Sequence, residues 1–155
     1  MGKRLMVLLL AFTVVIASCS KDKDDSVVKL GAKIDGKNWE ASVRVTSLTN
    51  GVFVITGTSA TSQVLAVTIN GDATGTYELG IGNAKCAATY KESALATDAN
   101  IYVSASGKVT LTKVDKTNKT ISGTFEFIIA RSLTDTKTVT AGQFNDLSYT
   151  DYSQQ

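Results

Sequence analysis

From Val27 onward, apolar and polar residues alternate in short runs that Gly, Asn or Asp interrupts at intervals of about 8–14 residues. Val, Ile, Thr, Tyr and Phe dominate the runs, and this chemistry with a period of two predicts β-strands. In KLGAKIDGKNWEASVRV, Asp35-Gly36 predicts a tight hairpin, because a type I′ turn takes positive φ at both central residues. Beyond it, Trp39, Ala41, Val43 and Val45 share one parity and Asn38, Glu40, Ser42 and Arg44 the other, which predicts one buried and one wet face. Asn50-Gly51 predicts the next hairpin, into VFVITGT, and QVLAVTIN sets Leu65, Val67 and Ile69 on one side. NGDATG then turns the chain into TYEL. Residues 84–91 carry enough Ala for a helix but are short and uncapped, so they read as a short strand. ESALATDA reads as a loop or a single helical turn.

The second half repeats the pattern more strongly. NIYVSAS leads through Gly107 to KVTLTKVD, the turn DKTNK spans Asp115 to Lys119, and the chain returns as TISGTFEFIIA. Val109 and Leu111 take one face, with Ile121, Phe125, Phe127 and Ile129 on the facing one. Gly123 interrupts that row and predicts a bulge or a close backbone approach. KTVTAGQFNDLSY supplies one or two closing strands. Nine or ten strands at this spacing predict an all-β fold, read as an antiparallel β-sandwich with a closed up-and-down, lipocalin-like β-barrel as the alternative. Trp39 and Phe127 are expected in the core. With neither a repeat nor a linker in view, one β domain is expected over residues 28–152.

The N-terminus carries a different pattern. Lys3 and Arg4 precede a 12-residue apolar run, Leu5 to Ile16, with Thr13 its one polar residue. A membrane-spanning helix needs about 20 such residues, so the run has the length and basic flank of a signal-peptide core. Ile16-Ala17-Ser18-Cys19 resembles the bacterial lipobox, in which small residues admit the chain to the signal peptidase and the cysteine thiol accepts a diacylglyceryl group. Residues 1–18 are therefore read as a lipoprotein signal peptide, cut between Ser18 and Cys19, with Cys19 lipidated and residues 19–27 as a tether. Two acyl chains anchor stably without a spanning helix. Ser20 is followed by Lys21, Asp22, Lys23, Asp24 and Asp25, a candidate export signal like those behind the lipidated cysteine of surface-exposed lipoproteins. The plainer reading of such a run is a solvated tether. The expected place is the outer membrane, lipid-anchored and facing outside the cell, with the periplasmic face as the alternative.

Composition narrows the chemistry. Removal of residues 1–18 takes Lys3 and Arg4 with it and leaves fourteen basic against fourteen acidic residues. No basic stripe stands out, so nucleic acid is not an expected partner. Histidine is absent, which excludes Ser-His-Asp and Cys-His catalysis in their usual forms and leaves zinc without ligands. With Cys19 acylated, Cys86 is the one remaining thiol; it is expected as a small buried hydrophobe.

The candidates that remain each have an ordinary structural explanation. Glu40, Glu78 and Glu126 would be the carboxylates of a glycosidase-like site, but strand parity sets Glu40 and Glu126 on wet faces. Asp115 with Asn118, or Asp72, would offer oxygens to calcium, yet neither stretch has the ligand density of a calcium loop, and Asx residues favour turns in any case. Tyr77 and Tyr102 are candidates for exposed sugar platforms, with Tyr149 and Tyr152 near the chain end. Thr110 and Thr112, and Thr136, Thr138 and Thr140, would make flat polar strand faces. No catalytic residue, metal or cofactor is predicted, and no ligand-binding residue is singled out.

KIDGKNWEA, GTYELG, SGKVTLTKVDKTNKTISGTFEF and VTAGQFNDLSY occur in that order. Together they resemble a family of small Bacteroidota-type outer-membrane lipoproteins of unknown function. The resemblance implies an all-β lipoprotein of the outer envelope and no particular substrate. The expected function is a non-catalytic binding or accessory module for a glycan or a protein partner, anchored through Cys19. A β-barrel carrier of a small apolar ligand is the alternative, a carboxylate-only hydrolase the second alternative, and a structural envelope role the last.

Overall fold

A computed structural model describes residues 27–80, 82–97 and 100–153. Ser18, Cys19 and the charged stretch from Lys21 to Asp25 lie outside the described residues. The strands are β1 (Leu30–Ile34), β2 (Lys37–Thr49), β3 (Val52–Ser59), β4 (Val64–Asn70), β5 (Gly75–Gly80) and β6 (Asn83–Ala84). They continue as β7 (Cys86–Lys91), β8 (Ile101–Asp115), β9 (Thr120–Ala130), β10 (Thr136–Ser148) and β11 (Thr150–Asp151).

The hairpin turns form where turn chemistry asks for them. Asp35 and Gly36 have φ of 49° and 76°, and Asn50 and Gly51 have 50° and 78°. These are the two positive values of a type I′ turn. At the β8–β9 turn, Asp115 accepts hydrogen bonds from the backbone of Thr117 and Asn118 at 3.0 and 2.8 Å.

The sheet closes on itself. From β1 the antiparallel neighbours run β2, β3, β4, β7, β8, β9 and β10, and β10 pairs back with β1. The result is an eight-stranded up-and-down barrel, with β5 and β6 as a side hairpin along the lower part of β8. The sandwich expectation is thus overturned in favour of the barrel. Alternation tells which face of a strand is buried, but it is equally satisfied by both architectures. The pairing of the first strand with the last decides between them, and it leaves no long unpaired edge.

Eight strands give an interior that side chains can just fill. Here Phe53, Phe125, Phe127, Phe144, Leu30 and Ile129 fill it, all buried. Phe125 stacks on Phe144 with centroids 6.3 Å apart. Full burial of each such side chain contributes about 1.5–3 kcal/mol. Gly123 makes the close approach its position suggested, since a Cβ there would lie 2.3 Å from the Thr110 carbonyl oxygen and 2.6 Å from the Phe144 ring. The base is closed by the C-terminal segment. Tyr149 meets Phe53 edge-to-face at 5.0 Å, its N–H donates to the Lys119 carbonyl, and β11 then runs parallel to β2. Tyr149 is therefore a buried plug and not part of a frayed end.

One parity expectation fails. The β2–β3 register slips between Ala41 and Val43. A one-residue bulge reverses every later side chain. Trp39 and Ala41 face the core as expected, but Val43 and Val45 turn outward and stand 61% and 64% exposed, while Thr46 and Leu48 turn in. The outer row they join is uncharged across three strands. It holds Val43, Val45 and Ser47 on β2, Val54, Thr56 and Thr58 opposite them on β3, then Thr68, Ala66 and Val64 on β4.

Candidate functional site

The turns β1–β2, β3–β4, β7–β8 and β9–β10 gather at one end of the barrel. They surround a cavity of about 320 Å³. Its floor and inner walls are Ile34, Trp39 and Tyr90, from β1, β2 and β7. Its polar rim is Asp35, Lys37, Asn38, Thr61, Gln63, Glu92 and Lys137. Two more open grooves, of about 280 and 270 Å³, cross the outer wall and share Ala141 and Gln143.

The rim is held by charge. The Lys137 ammonium lies 3.1 Å from Glu92 and 3.5 Å from Asp35, and 5.0 Å above the centre of the Tyr102 ring. Arg131 lies at the same 5.0 Å from the ring centre and pairs with Asp135. The Tyr102 hydroxyl donates to Asp135 at 3.0 Å. Asp35 also accepts from the Thr138 N–H at 2.9 Å, which ties the β1–β2 turn to the start of β10. The hydrogen bond to Glu92 raises the Lys137 ammonium well above the usual lysine range, although its burial opposes this. Burial, then the hydrogen bond to Asp135, raises the Tyr102 hydroxyl. Burial likewise raises Tyr90. For Asp135, burial is outweighed by hydrogen bonds from Tyr102 and Arg131, and its carboxyl is lowered.

One group in this mouth is unsatisfied. Trp39 is buried, and its indole Nε1 is the one buried side-chain nitrogen or oxygen among the described residues without a hydrogen-bond partner. An indole N–H only donates, and leaving it unpaired out of water costs about 1–3 kcal/mol.

The residues singled out from sequence do not converge. Glu126 pairs with Lys108 at 3.2 Å, and Lys108 stands between Glu126 on β9 and Glu78 on β5 in the register. Glu40 lines the other outer groove. Asp115 and Asn118 bond each other, and Asp72 pairs with Lys116 at 2.8 Å. Among the described residues no three acidic or thiol side chains gather as a metal site would require. Tyr77 folds onto Gly71, and its hydroxyl donates to the Ala73 carbonyl. Tyr102, expected as an exposed platform, is buried at the mouth between two cations, because its parity on β8 points inward. Tyr152 is exposed at the base. Thr110 bonds Thr76 across strands, Thr138 braces Asp35, and Thr112, Thr136 and Thr140 face solvent. Cys86 is buried, its thiol raised by burial and donating to the Tyr77 carbonyl. Sequence reasoning missed Lys137, Glu92, Gln63 and Tyr90. Each lies in a different strand or turn, and only barrel closure brings them together.

A family model described as a domain of unknown function, DUF6252, matches residues 28–148, and the chain belongs to that family. No curated protein and no solved structure matches.

Proposed function

We propose that this DUF6252 domain is a non-catalytic small-ligand-binding barrel, held at the outer membrane by lipid on Cys19, that takes a hydroxyl-rich ligand such as a short glycan at its mouth. The observation that carries the reading is a cavity at the mouth that Trp39 and Tyr90 line and that both donors and acceptors rim. The alternating charges of Asp35, Lys137 and Glu92 suit hydroxyls, which donate and accept at once. The volume of about 320 Å³ is at the small end of ligand pockets. The wall of the barrel favours a carrier, as the apolar-ligand alternative expects, but the interior is occupied by aromatic rings. The mouth is therefore the place where a ligand fits without repacking.

Trp39 is the one tryptophan of the chain and a built-in reporter. Titration of the mature protein with a panel of mono- and disaccharides should shift or quench its emission saturably, and Glu92→Ala with Gln63→Ala should weaken the response. A flat titration across the panel, with calorimetry also silent, would refute the glycan reading. Saturable uptake of a fatty acid instead would establish the apolar carrier.

A further inference from the structure

We infer that the uncharged outer wall of β2 and β3 rests on the lipid bilayer to which the chain is anchored, so that the barrel lies on its flank. This rests on the lipid at Cys19 proposed above and is independent of what the mouth binds.

The first observation is the bulge. Without the slip at Ala41/Val43, Val43 and Val45 would face the core; with it, both are carried to the outside, opposite Thr58 and Thr56, in the outer row that also holds Val54 opposite Ser47. Val103 and Ile128 also stand exposed, on β8 and β9, but the apolar row on β2 is made by a backbone device. Bulges are a means of re-aiming side chains and are treated as built features. Arg44 stands exposed between Val43 and Val45, with its guanidinium bonded to the Ala41 carbonyl at 2.6 Å. A cation at the margin of an apolar patch suits the phosphates of lipid headgroups.

The second observation is where the chain leaves the barrel. Val28 is fixed by its carbonyl, which accepts from Asn145 Nδ2 at 2.7 Å, and lies over Gly31, where a Cβ would meet it at 2.7 Å. The Lys29 carbonyl likewise accepts from the Asn145 N–H and Gly31 is paired with Glu40, so the chain leading to the anchor leaves over β1, held toward β10 and level with the β2 bulge. Residues 20–26 span about 25 Å at most when extended, at roughly 3.3–3.6 Å each. The tether thus departs between the ion-paired wall of β8 to β10 and the valine-bearing wall of β2 and β3, and the second is the one that suits lipid. The mouth, at the end of the barrel, then opens along the membrane plane.

The test uses the full lipidated protein reconstituted in vesicles of phosphatidylethanolamine and phosphatidylglycerol. Single cysteines replace Val45, Val54, Thr112 and Leu133 in turn, and each carries an environment-sensitive fluorophore; buried Cys86 is the background control. The protein should float with the vesicles. Labels at 45 and 54 should emit to the blue and be quenched by spin-labelled lipid several-fold more than labels at 112, on the opposite wall, and 133, near the mouth. Val45→Asp with Val54→Asp should keep flotation and ligand response but release the flank, seen as loss of protection at a label on position 43. Equal quenching at all four positions would overturn the inference, and so would protection of position 45 that persists in detergent with a dimer's mass, since a second copy would then cover the wall. Failure to float would overturn it through the anchor. The Trp39 titration, run on the same samples, reports the mouth separately.

Discussion

The two long walls of this barrel share one interior and differ outside. The wall of β2, β3 and β4 presents valines, threonines, an alanine and a serine, with Arg44 the one charge in the register rows from Val43 to Ser47 and their partners. The wall of β8, β9 and β10 presents ion pairs, Lys108 with Glu126 and Lys113 with Asp146. Inside, both contribute rings and branched aliphatics at near-complete burial. The outer rows therefore vary while packing stays constant. What distinguishes the walls is what each one meets, water on one side and, on our reading, lipid on the other.

The largest effect should be blind to that difference. Trp39→Ala on one side and Phe127→Ala on the other each remove a buried aromatic side chain, and each should cost about 3–5 kcal/mol by chemical denaturation. Near-equal losses would establish a shared core. A Trp39→Ala protein with wild-type stability would break the comparison, because Trp39 would then add nothing to the shared core.

The second effect concerns the mouth, where the walls meet. Tyr90 comes from β7, and Tyr102 and Lys137 from β8 and β10. The ammonium of Lys137 is raised chiefly by its hydrogen bond to Glu92, and the two phenols chiefly by burial. A group with a raised folded-state pKa adds stability that is complete below its unfolded value and is lost as pH climbs through its folded value. Unfolded Tyr and Lys titrate at about 10 and 10.4. Stability should hold to about pH 10 and then fall steadily. Lys137→Met should show a shallower fall in the denaturation midpoint across the same range; an unchanged slope would remove Lys137 from the account.

Much of the barrel was legible in the chain, and the misses have identifiable causes. Asp35-Gly36 and Asn50-Gly51 announce their turns because a two-residue I′ turn constrains both residues locally. Leu65, Val67 and Ile69, and the row from Ile121 to Ile129, announce their face because nothing interrupts their register. The bulge at Ala41/Val43 leaves no comparable trace, since Ser42 and Val43 are acceptable in either register, so two valines were set on the wrong face. Barrel closure depends on β1 meeting β10, a contact between residues more than a hundred positions apart, and alternation is silent on it. The mouth was invisible for the same reason. Lys137, Glu92 and Asp35 are unremarkable alone and become a charged rim only when four turns converge.

The third prediction sharpens the charged wall. Lys108 and Glu126 are each about half exposed, 51% and 58% in their side chains. Such a pair is screened and is worth about 0.2–1 kcal/mol. A double-mutant cycle through Lys108→Ala and Glu126→Ala should return a coupling in that range that fades near 1 M salt, where the Debye length is about 3 Å. Because Lys108 also faces Glu78 across the β5 pairing, its single change should lose more than that of Glu126.

The smallest expected effect bears most directly on the uncharged wall. Val45→Thr and Val54→Thr keep the β-branch that suits a strand and remove only apolar surface. If the valines were kept to stabilise the sheet, replacing them would lower the denaturation midpoint. Val45 is 64% exposed, however, and its cross-strand partner Thr56 already carries a hydroxyl. Changes at such surface positions stay within about ±0.5 kcal/mol. The double variant should therefore unfold with the wild type in solution, and a clear loss there would assign these valines to folding. In lipid the expectation reverses. The lipidated double variant should still float, since the acyl chains remain, but its flank should lose contact with the bilayer, read as greater mobility of a spin label at position 43. A surface that is neutral for folding and consequential only when a membrane is present owes its composition to the membrane.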